Sequence, residues 1–116
     1  MKSVSRDTIL SVDPNESLVV LRPHCLTVDC DMHGNVHLLE ESSLCVIGKI
    51  HGSIIADEHT TIRIKPSGVV YGGIDSSGTF TGESGFQVCT NDAALADAMR
   101  ENRALLDGLI KAHPLE

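Results

Sequence analysis

The sequence has few aromatic residues: 3% of its 116 residues are aromatic, and none is Trp. The 41% of residues that are hydrophobic are therefore mainly Val, Ile, Leu and small residues, which stack well in a narrow β interior. Basic residues are also scarce, and the formal net charge is −7. An acidic chain without a basic stripe argues against nucleic-acid binding driven by counterion release and against adhesion to an anionic membrane.

Long apolar runs are absent as well. No segment approaches the ~18 apolar residues that a membrane helix requires. Residues 1–12 contain Asp7 and serines, which interrupt the apolar run that a secretory signal needs. We therefore expect no membrane insertion and a cytoplasmic protein, in which the four cysteines are reduced thiols.

Apolar residues follow a period of two from Leu18 to Val88. Twenty of the 36 even-numbered positions in this range are apolar, against nine of the 35 odd-numbered positions. A period of two is typical of β-strands, because successive side chains point to opposite faces. The parity also persists through the turns, which hairpin-connected strands usually do not allow. It predicts a coil whose turns have even length and whose even-numbered side chains point inward.

A repeat of 18 residues accompanies this parity. Segments 32–36, 50–54 and 70–74 share the pattern apolar-x-Gly-x-apolar, at offsets of 18 and then 20 residues. The turn at 65–68 is the predicted site of the two extra residues. A fixed period of this length indicates stacked units, and we predict about four complete turns over residues 8–88 with the glycines at corners. A jelly roll or cupin-like barrel, whose strands also alternate, is the alternative.

The period changes after Val88. Asn91 or Asp92 can N-cap a helix predicted over 93–112. This helix either caps the open end of its own coil, which prevents uncontrolled strand pairing, or packs against the same helix of another subunit. In the second case Asn102 would set the register.

A group of possible zinc ligands lies early in the chain: His24, Cys25, Cys30 and His33. The parity opposes such a site, because Cys25 and His33 are predicted to point outward and Cys30 inward. Ligands on opposite faces of one wall cannot converge on a metal. We therefore predict no metal ligand here, and elsewhere no catalytic residue and no cofactor.

Two further histidine arrangements stand out. His33, His51 and Tyr71 occupy equivalent positions of successive turns, and we predict an external ladder that could contribute to a lateral interface. His33 and His37 are predicted to lie outward on one strand with Glu40 nearby, which resembles half of a cupin metal motif. The His-x-His pair of that motif is absent.

The stretches 44–56 and 62–74, LCVIGKIHGSIIA and IRIKPSGVVYGGI, resemble the bactofilins, a polymer-forming bacterial cytoskeletal family. The resemblance covers roughly residues 26–82. It implies a right-handed β-helix, nucleotide-free self-assembly through the ends of the coil, and no catalysis. A C-terminal helix over one end would block end-to-end polymerisation, and we therefore expect a closed oligomer or a short polymer.

Taken together, these patterns predict a single domain, 1–116: a mainly β chain with a short parallel β-helix, whose right hand is implied by the resemblance, followed by one C-terminal amphipathic α-helix over 91–113. The predicted function is a non-catalytic, self-associating scaffold whose partner is a second copy of the chain. The residues predicted to form the oligomer interface are Leu95, Met99, Asn102, Leu105, Leu106, Leu109 and Ile110 on the helix, and His33, His51 and Tyr71 on the ladder.

The main alternative function is enzymatic. Hexapeptide acyltransferases and the related carbonic anhydrases also use coils of 18-residue turns, and they place histidines at trimer interfaces, a role that His33 or His51 could fill. A small ligand-binding cupin-like barrel is the third possibility, and the predicted interior of Val, Ile and Leu argues against a cavity.

Overall fold

The computed structural model describes residues 1–108 and 113–114, which form a parallel β-solenoid of five turns and one helix. The first turn contains β1 (Lys2–Val4) and β2 (Thr8–Leu10), and the second contains β3 (Leu18–Val20), β4 (Cys25–Val28) and β5 (Asp31–Met32). The third contains β6 (Val36–Leu38), β7 (Ser43–Val46) and β8 (Lys49–Ile50), and the fourth contains β9 (Ile54–Ala56), β10 (Thr61–Ile64) and β11 (Val69–Val70). The fifth contains β12 (Ile74–Ser76), β13 (Thr79–Gly82) and β14 (Gln87–Val88), followed by α1 (Asp92–Leu106) and β15 (His113–Pro114).

Equivalent strands of successive turns pair in parallel and build three walls. Sheet A has the order β12-β9-β6-β3-β1-β15, sheet B the order β13-β10-β7-β4-β2, and sheet C the order β14-β11-β8-β5. The predicted β-solenoid with a C-terminal helix is therefore confirmed. The coil starts at β1, before the expected boundary at residue 8, and this adds a turn to the four that the repeat indicated.

The register confirms the predicted insertion. Strands β7 and β10 pair at an offset of 18 residues, whereas β8 and β11 pair at an offset of 20. The two extra residues therefore lie between Ile64 and Val69, in the turn that contains Pro66. The offset returns to 18 between β10 and β13, because a shorter link between β12 and β13 compensates for the longer turn. The walls thus stay aligned along the whole coil.

Even-numbered apolar side chains form the core, as the parity predicts. These residues are Val4, Leu10, Leu18, Val20, Leu26, Val28, Met32, Val36, Leu38, Leu44, Val46, Ile50, Ile54, Ala56, Ile62, Ile64 and Val70. Each fully buried Leu or Ile in such a stack contributes about 1.5–3 kcal/mol from the removal of apolar surface from water. Two odd-numbered residues, Val19 and Ile55, are also buried, although their side chains point away from the interior.

The stacked glycines occupy corners where turns approach each other closely. A Cβ on Gly52 would lie 2.2 Å from the carbonyl oxygen of Gly34, and a Cβ on Gly72 would lie 2.5 Å from the carbonyl oxygen of Gly52. Both distances are far below a van der Waals contact, and the atoms concerned are backbone atoms that side-chain motion cannot move. Glycine is therefore required at these corners for steric reasons.

The C-terminal helix begins as predicted but ends earlier. The Asn91 side chain accepts a hydrogen bond from the Ala94 N–H at 3.0 Å and so N-caps α1. The helix predicted over 93–112 ends at Leu106, because Gly108 adopts a positive φ of 76° and donates its N–H to the Leu105 carbonyl. This arrangement is a common C-terminal stop for helices. The last part of the predicted helix, 109–112, lies outside the described residues.

Helix α1 lies on the flank of the coil instead of over its end. Leu95 lies beside Gly73 at the start of the fifth turn, and Glu101 contacts Asn35 and His37 in the third. The helix therefore runs back along sheet A toward the first turn, where β15 pairs with β1. Of the two arrangements predicted for this helix, the cap over the end of its own coil is therefore wrong. Helix α1 covers the outward face of sheet A, on which the buried Val19 and Ile55 lie.

Candidate functional site

The first candidate feature is the predicted ladder of His33, His51 and Tyr71, here called the histidine ladder. The rings of His33 and His51 stack with centroids 4.3 Å apart and planes 5° from parallel, and those of His51 and Tyr71 stack at 4.8 Å. The separations follow the strand spacing of about 4.8 Å. All three rings are partly exposed at a corner of the coil, and their role in an interface stays a prediction.

Acidic side chains accompany the ladder. Asp13 Oδ2 lies 2.7 Å from His33 Nδ1, and Asp31 Oδ2 lies 3.9 Å from His51 Nε2. Hydrogen bonds from the backbone N–H groups of His33 and Asn15, and from the His33 ring, lower the pKa of Asp13 to about 2. Asp13 therefore stays ionised at neutral pH and ties the first turn to the second.

The prediction that His33 and His37 lie on one strand was wrong. Gly34 adopts a φ of 142° and turns the chain between them, so His33 lies at the corner whereas His37 lies on β6. The suspected zinc ligands also separate: Cys30 packs against the core, and Cys25 is half-buried on the outside. Within residues 1–108, no group of three or more His, Cys, Asp or Glu side chains is placed to hold a metal ion.

The second feature is a polar network between sheet A and α1, which the sequence did not reveal. The His37 side chain is fully buried, with Nε2 2.6 Å from Glu101 Oε1 and Nδ1 3.1 Å from Asn102 Oδ1. Asn35 donates its side-chain N–H to Glu101 Oε1 at 3.2 Å. We call His37, Glu101, Asn102 and Asn35 the flank network.

The flank network continues into a row of polar residues, one from each successive turn, at the adjacent corner. The Ser17 hydroxyl accepts a hydrogen bond from the Asn35 N–H, and Asn35 Oδ1 accepts one from the Ser53 N–H. Burial would raise the pKa of Glu101, but hydrogen bonds from His37, Ser17 and Asn35 outweigh that effect and hold this pKa below its usual range. Glu101 is therefore a carboxylate that faces the His37 ring at neutral pH.

The helix residues predicted for an oligomer interface divide into two groups. Leu95, Asn102 and Leu105 are half-buried against the chain's own coil. Met99 and Leu106 are 47% and 62% exposed, and they border a groove of about 250 Å³ together with Ile55. Leu109 and Ile110 lie outside the described residues. The part of all these helix residues in an oligomer interface therefore stays a prediction.

The third feature is the C-terminal end of the coil. Phe80 and Phe86 occupy inward-facing positions in the last turn, yet they are 38% and 36% exposed because none of the described residues forms a further turn over them. Their rings meet edge to face, with centroids 5.9 Å apart. Strands β12, β13 and β14 form the outer edges of the three sheets at this end, and within the described residues no further strand pairs with them.

The N-terminal end has a different shape. A groove of about 350 Å³ follows the first turn, and its lining includes Lys2, Arg6 and Leu10. Ile9 and Val12 are 72% and 75% exposed beside it. On sheet A this end is covered by β15, which pairs with β1, whereas β2 is the edge strand of sheet B. The N-terminal end of the coil therefore has a groove, whereas the C-terminal end has two partly exposed aromatic rings.

No family model, curated protein or solved structure matches this chain. In the part of the chain that the structure describes, no helix is long and apolar enough to span a membrane.

Proposed function

We propose that the protein is a non-catalytic, self-associating scaffold of the bactofilin-like type, and that its copies associate through the ends of the coil. The observation that carries this proposal is the uncovered C-terminal end. An edge strand presents a row of N–H and C=O groups that favour pairing with another chain. At this end three edge strands surround two exposed aromatic rings.

The features of the two ends favour contact between unlike ends of successive copies. Phe80 and Phe86 are partly exposed at one end, and the groove lined by Leu10 lies at the other. The edge strands of sheet B, β13 and β2, contain no proline, which leaves their backbone N–H groups able to pair. Stacking β2 of one copy on β13 of another would continue sheet B in parallel.

Charge also differs between the two ends. The last turn carries the acids Asp75 and Glu83 and no Lys or Arg, whereas the first turn carries Lys2 and Arg6 together with three acids. Contact between two C-terminal ends would place acids opposite acids only, whereas contact between unlike ends also offers basic side chains to the acids of the last turn. An interface between unlike surfaces produces an open polymer or a ring, depending on whether the rotation between copies closes.

The position of α1 removes an objection to polymerisation. A helix over one end would have favoured a closed oligomer, but α1 lies on the flank and leaves the last turn uncovered. Short polymers are therefore part of the proposal alongside rings.

The test is light scattering after size-exclusion chromatography of the wild type and two matched variants. The double substitution Phe80→Asp and Phe86→Asp places charges at the C-terminal end and should convert the assembly to monomers. Thr61→Asp, at an exposed position on the outward face of β10, is the control and should leave the mass unchanged. Circular dichroism confirms that each variant keeps its β-sheet. A wild type that stays monomeric at high concentration, or an assembly that resists the double substitution, would overturn the proposal.

A further inference from the structure

The contact between α1 and the outward face of sheet A combines a few apolar side chains with a polar network. In α1 only Ala98 is fully buried, and Leu95 and Leu105 are half-buried. The apolar area that holds the helix in place is therefore small. The flank network lies in the same contact, and His37 at its centre is fully buried.

The geometry places an acceptor oxygen at each ring nitrogen of His37. Nδ1 faces the amide oxygen of Asn102, and Nε2 faces the carboxylate of Glu101. Both partners are acceptors, so both contacts are hydrogen bonds only when each ring nitrogen carries a proton. Glu101 accepts a further hydrogen bond from Asn35, as expected for an ionised carboxylate. An imidazolium at this position would donate to both partners across the contact between sheet and helix.

We propose that His37 and Glu101 form a proton-dependent latch that holds α1 on the flank of the coil, and that loss of the His37 proton releases the helix and exposes the outward face of sheet A. A neutral imidazole can donate from only one nitrogen. With the Asn102 amide oriented as in the structure, the other nitrogen would then face an acceptor oxygen in a buried position, which is unfavourable. This regulatory device goes beyond self-association and does not depend on it.

The distribution of charged groups around the latch supports assigning its pH dependence to His37 and Glu101. The residues aligned with His37 on the neighbouring strands, Val19 and Ile55, are uncharged. Within the described residues, Glu101 is the ionisable group in contact with the His37 ring. The other charged groups line the adjacent grooves beside Ile55 and Asn102: Asp57, Asp75, Arg103 and Asp107. They border the latch without contacting the imidazole.

Release would uncover a specific surface. Val19 is 1% exposed and Ile55 is 8% exposed, although both point out of the coil. They lie in one column with His37 across three strands of sheet A. Undocking of α1 therefore exposes an apolar strip along the coil, which a helix held by packing alone would keep covered at any pH.

The test is amide hydrogen exchange of α1 from pH 6 to pH 9, corrected for the intrinsic pH dependence of exchange. We expect protection of the α1 amides to fall by about 10- to 100-fold in the wild type as pH rises, the scale of losing a hydrogen bond to a charged group. His37→Gln should show low protection at both pH values. His51→Gln, on the histidine ladder, is the matched control and should behave like the wild type. Protection that is independent of pH in the wild type, or an unchanged dependence in His37→Gln, would overturn the latch.

A second measurement covers the case in which His37→Gln does not fold. Nitrogen-15 NMR of the wild-type imidazole at pH 6 reports directly whether each ring nitrogen is protonated. The latch requires protons on both Nδ1 and Nε2 of His37. A neutral ring at pH 6 with α1 still docked would contradict the proposal without any substitution.

Discussion

Alanine substitutions at Ile50 and Lys49 compare an inward-facing residue with an outward-facing residue of the same strand, β8. Ile50 is fully buried, with 0% of its surface exposed, whereas its neighbour Lys49 is exposed on the same strand. Ile50→Ala removes buried apolar atoms and leaves a cavity, which costs about 2–5 kcal/mol. Lys49→Ala removes a solvated side chain and should change the free energy of unfolding by no more than ~0.5 kcal/mol.

The unfolding entropy, which scales with chain length, relates these changes in unfolding free energy to shifts in Tm. Unfolding entropy is about 2.1 cal/mol/K per residue, which gives roughly 0.24 kcal/mol/K for 116 residues. A loss of about 3 kcal/mol therefore lowers Tm by roughly 12 °C. The Lys49 variant should stay within about 2 °C of the wild type.

Thermal unfolding followed by circular dichroism measures both changes. Ile50→Asp extends the series, because a buried carboxylate without a partner adds several kcal/mol and should prevent folding altogether. Equal Tm values for the two alanine variants, or a folded Ile50→Asp protein, would refute the assignment of even-numbered side chains to the interior.

Three further predictions concern the corner glycines and the helix. Gly52→Ala should unfold the coil or markedly lower its Tm, because the new Cβ would lie 2.2 Å from the Gly34 oxygen; Gly108→Ala, with nothing within 4 Å of its Cβ, is the comparison and should affect only the end of α1. Asn91→Ala removes the N-cap at a cost of about 1 kcal/mol and should reduce hydrogen-exchange protection of α1 about fivefold, whereas Asn91→Ser should keep it. Acid should also undock α1, because the pKa of Glu101 is lowered in the folded state. The ionised Glu101 stabilises the docked helix fully above the unfolded pKa of 4.5, and this effect is lost as pH falls from there through the lower folded pKa. Exchange of the α1 amides should therefore accelerate over this pH range, and Glu101→Gln should remove the acid dependence.

The repeating part of the fold was readable from the sequence because it rests on local rules. The parity placed Ile50 inside, and the spacing of Gly34 and Gly52 located the corners, because each residue's environment is set by its equivalents one turn away. The insertion at 65–68 was visible for the same reason. The stacking of His33 on His51 followed from their equal positions in successive turns.

The flank of sheet A could not be predicted in this way. Whether His37 faces water or a helix depends on where α1 docks, which is a contact between residues 64 positions apart in the chain. The 3-4 spacing of α1 indicated an apolar face but not its partner. Ile55 offered a signal in the sequence for this contact. It is an apolar residue at an odd-numbered position, and it breaks the parity on the face that α1 covers. Gly108 marked the end of the helix more strongly than the apolar spacing beyond it.

Light scattering combined with electron microscopy of the purified wild-type protein is the most direct test of self-association through the coil ends. We predict masses that are multiples of the monomer and particles in which coils stack end to end, with the C-terminal end of one copy on the N-terminal end of the next. A monomer at all accessible concentrations, or assemblies in which coils contact each other only along their flanks, would contradict the account.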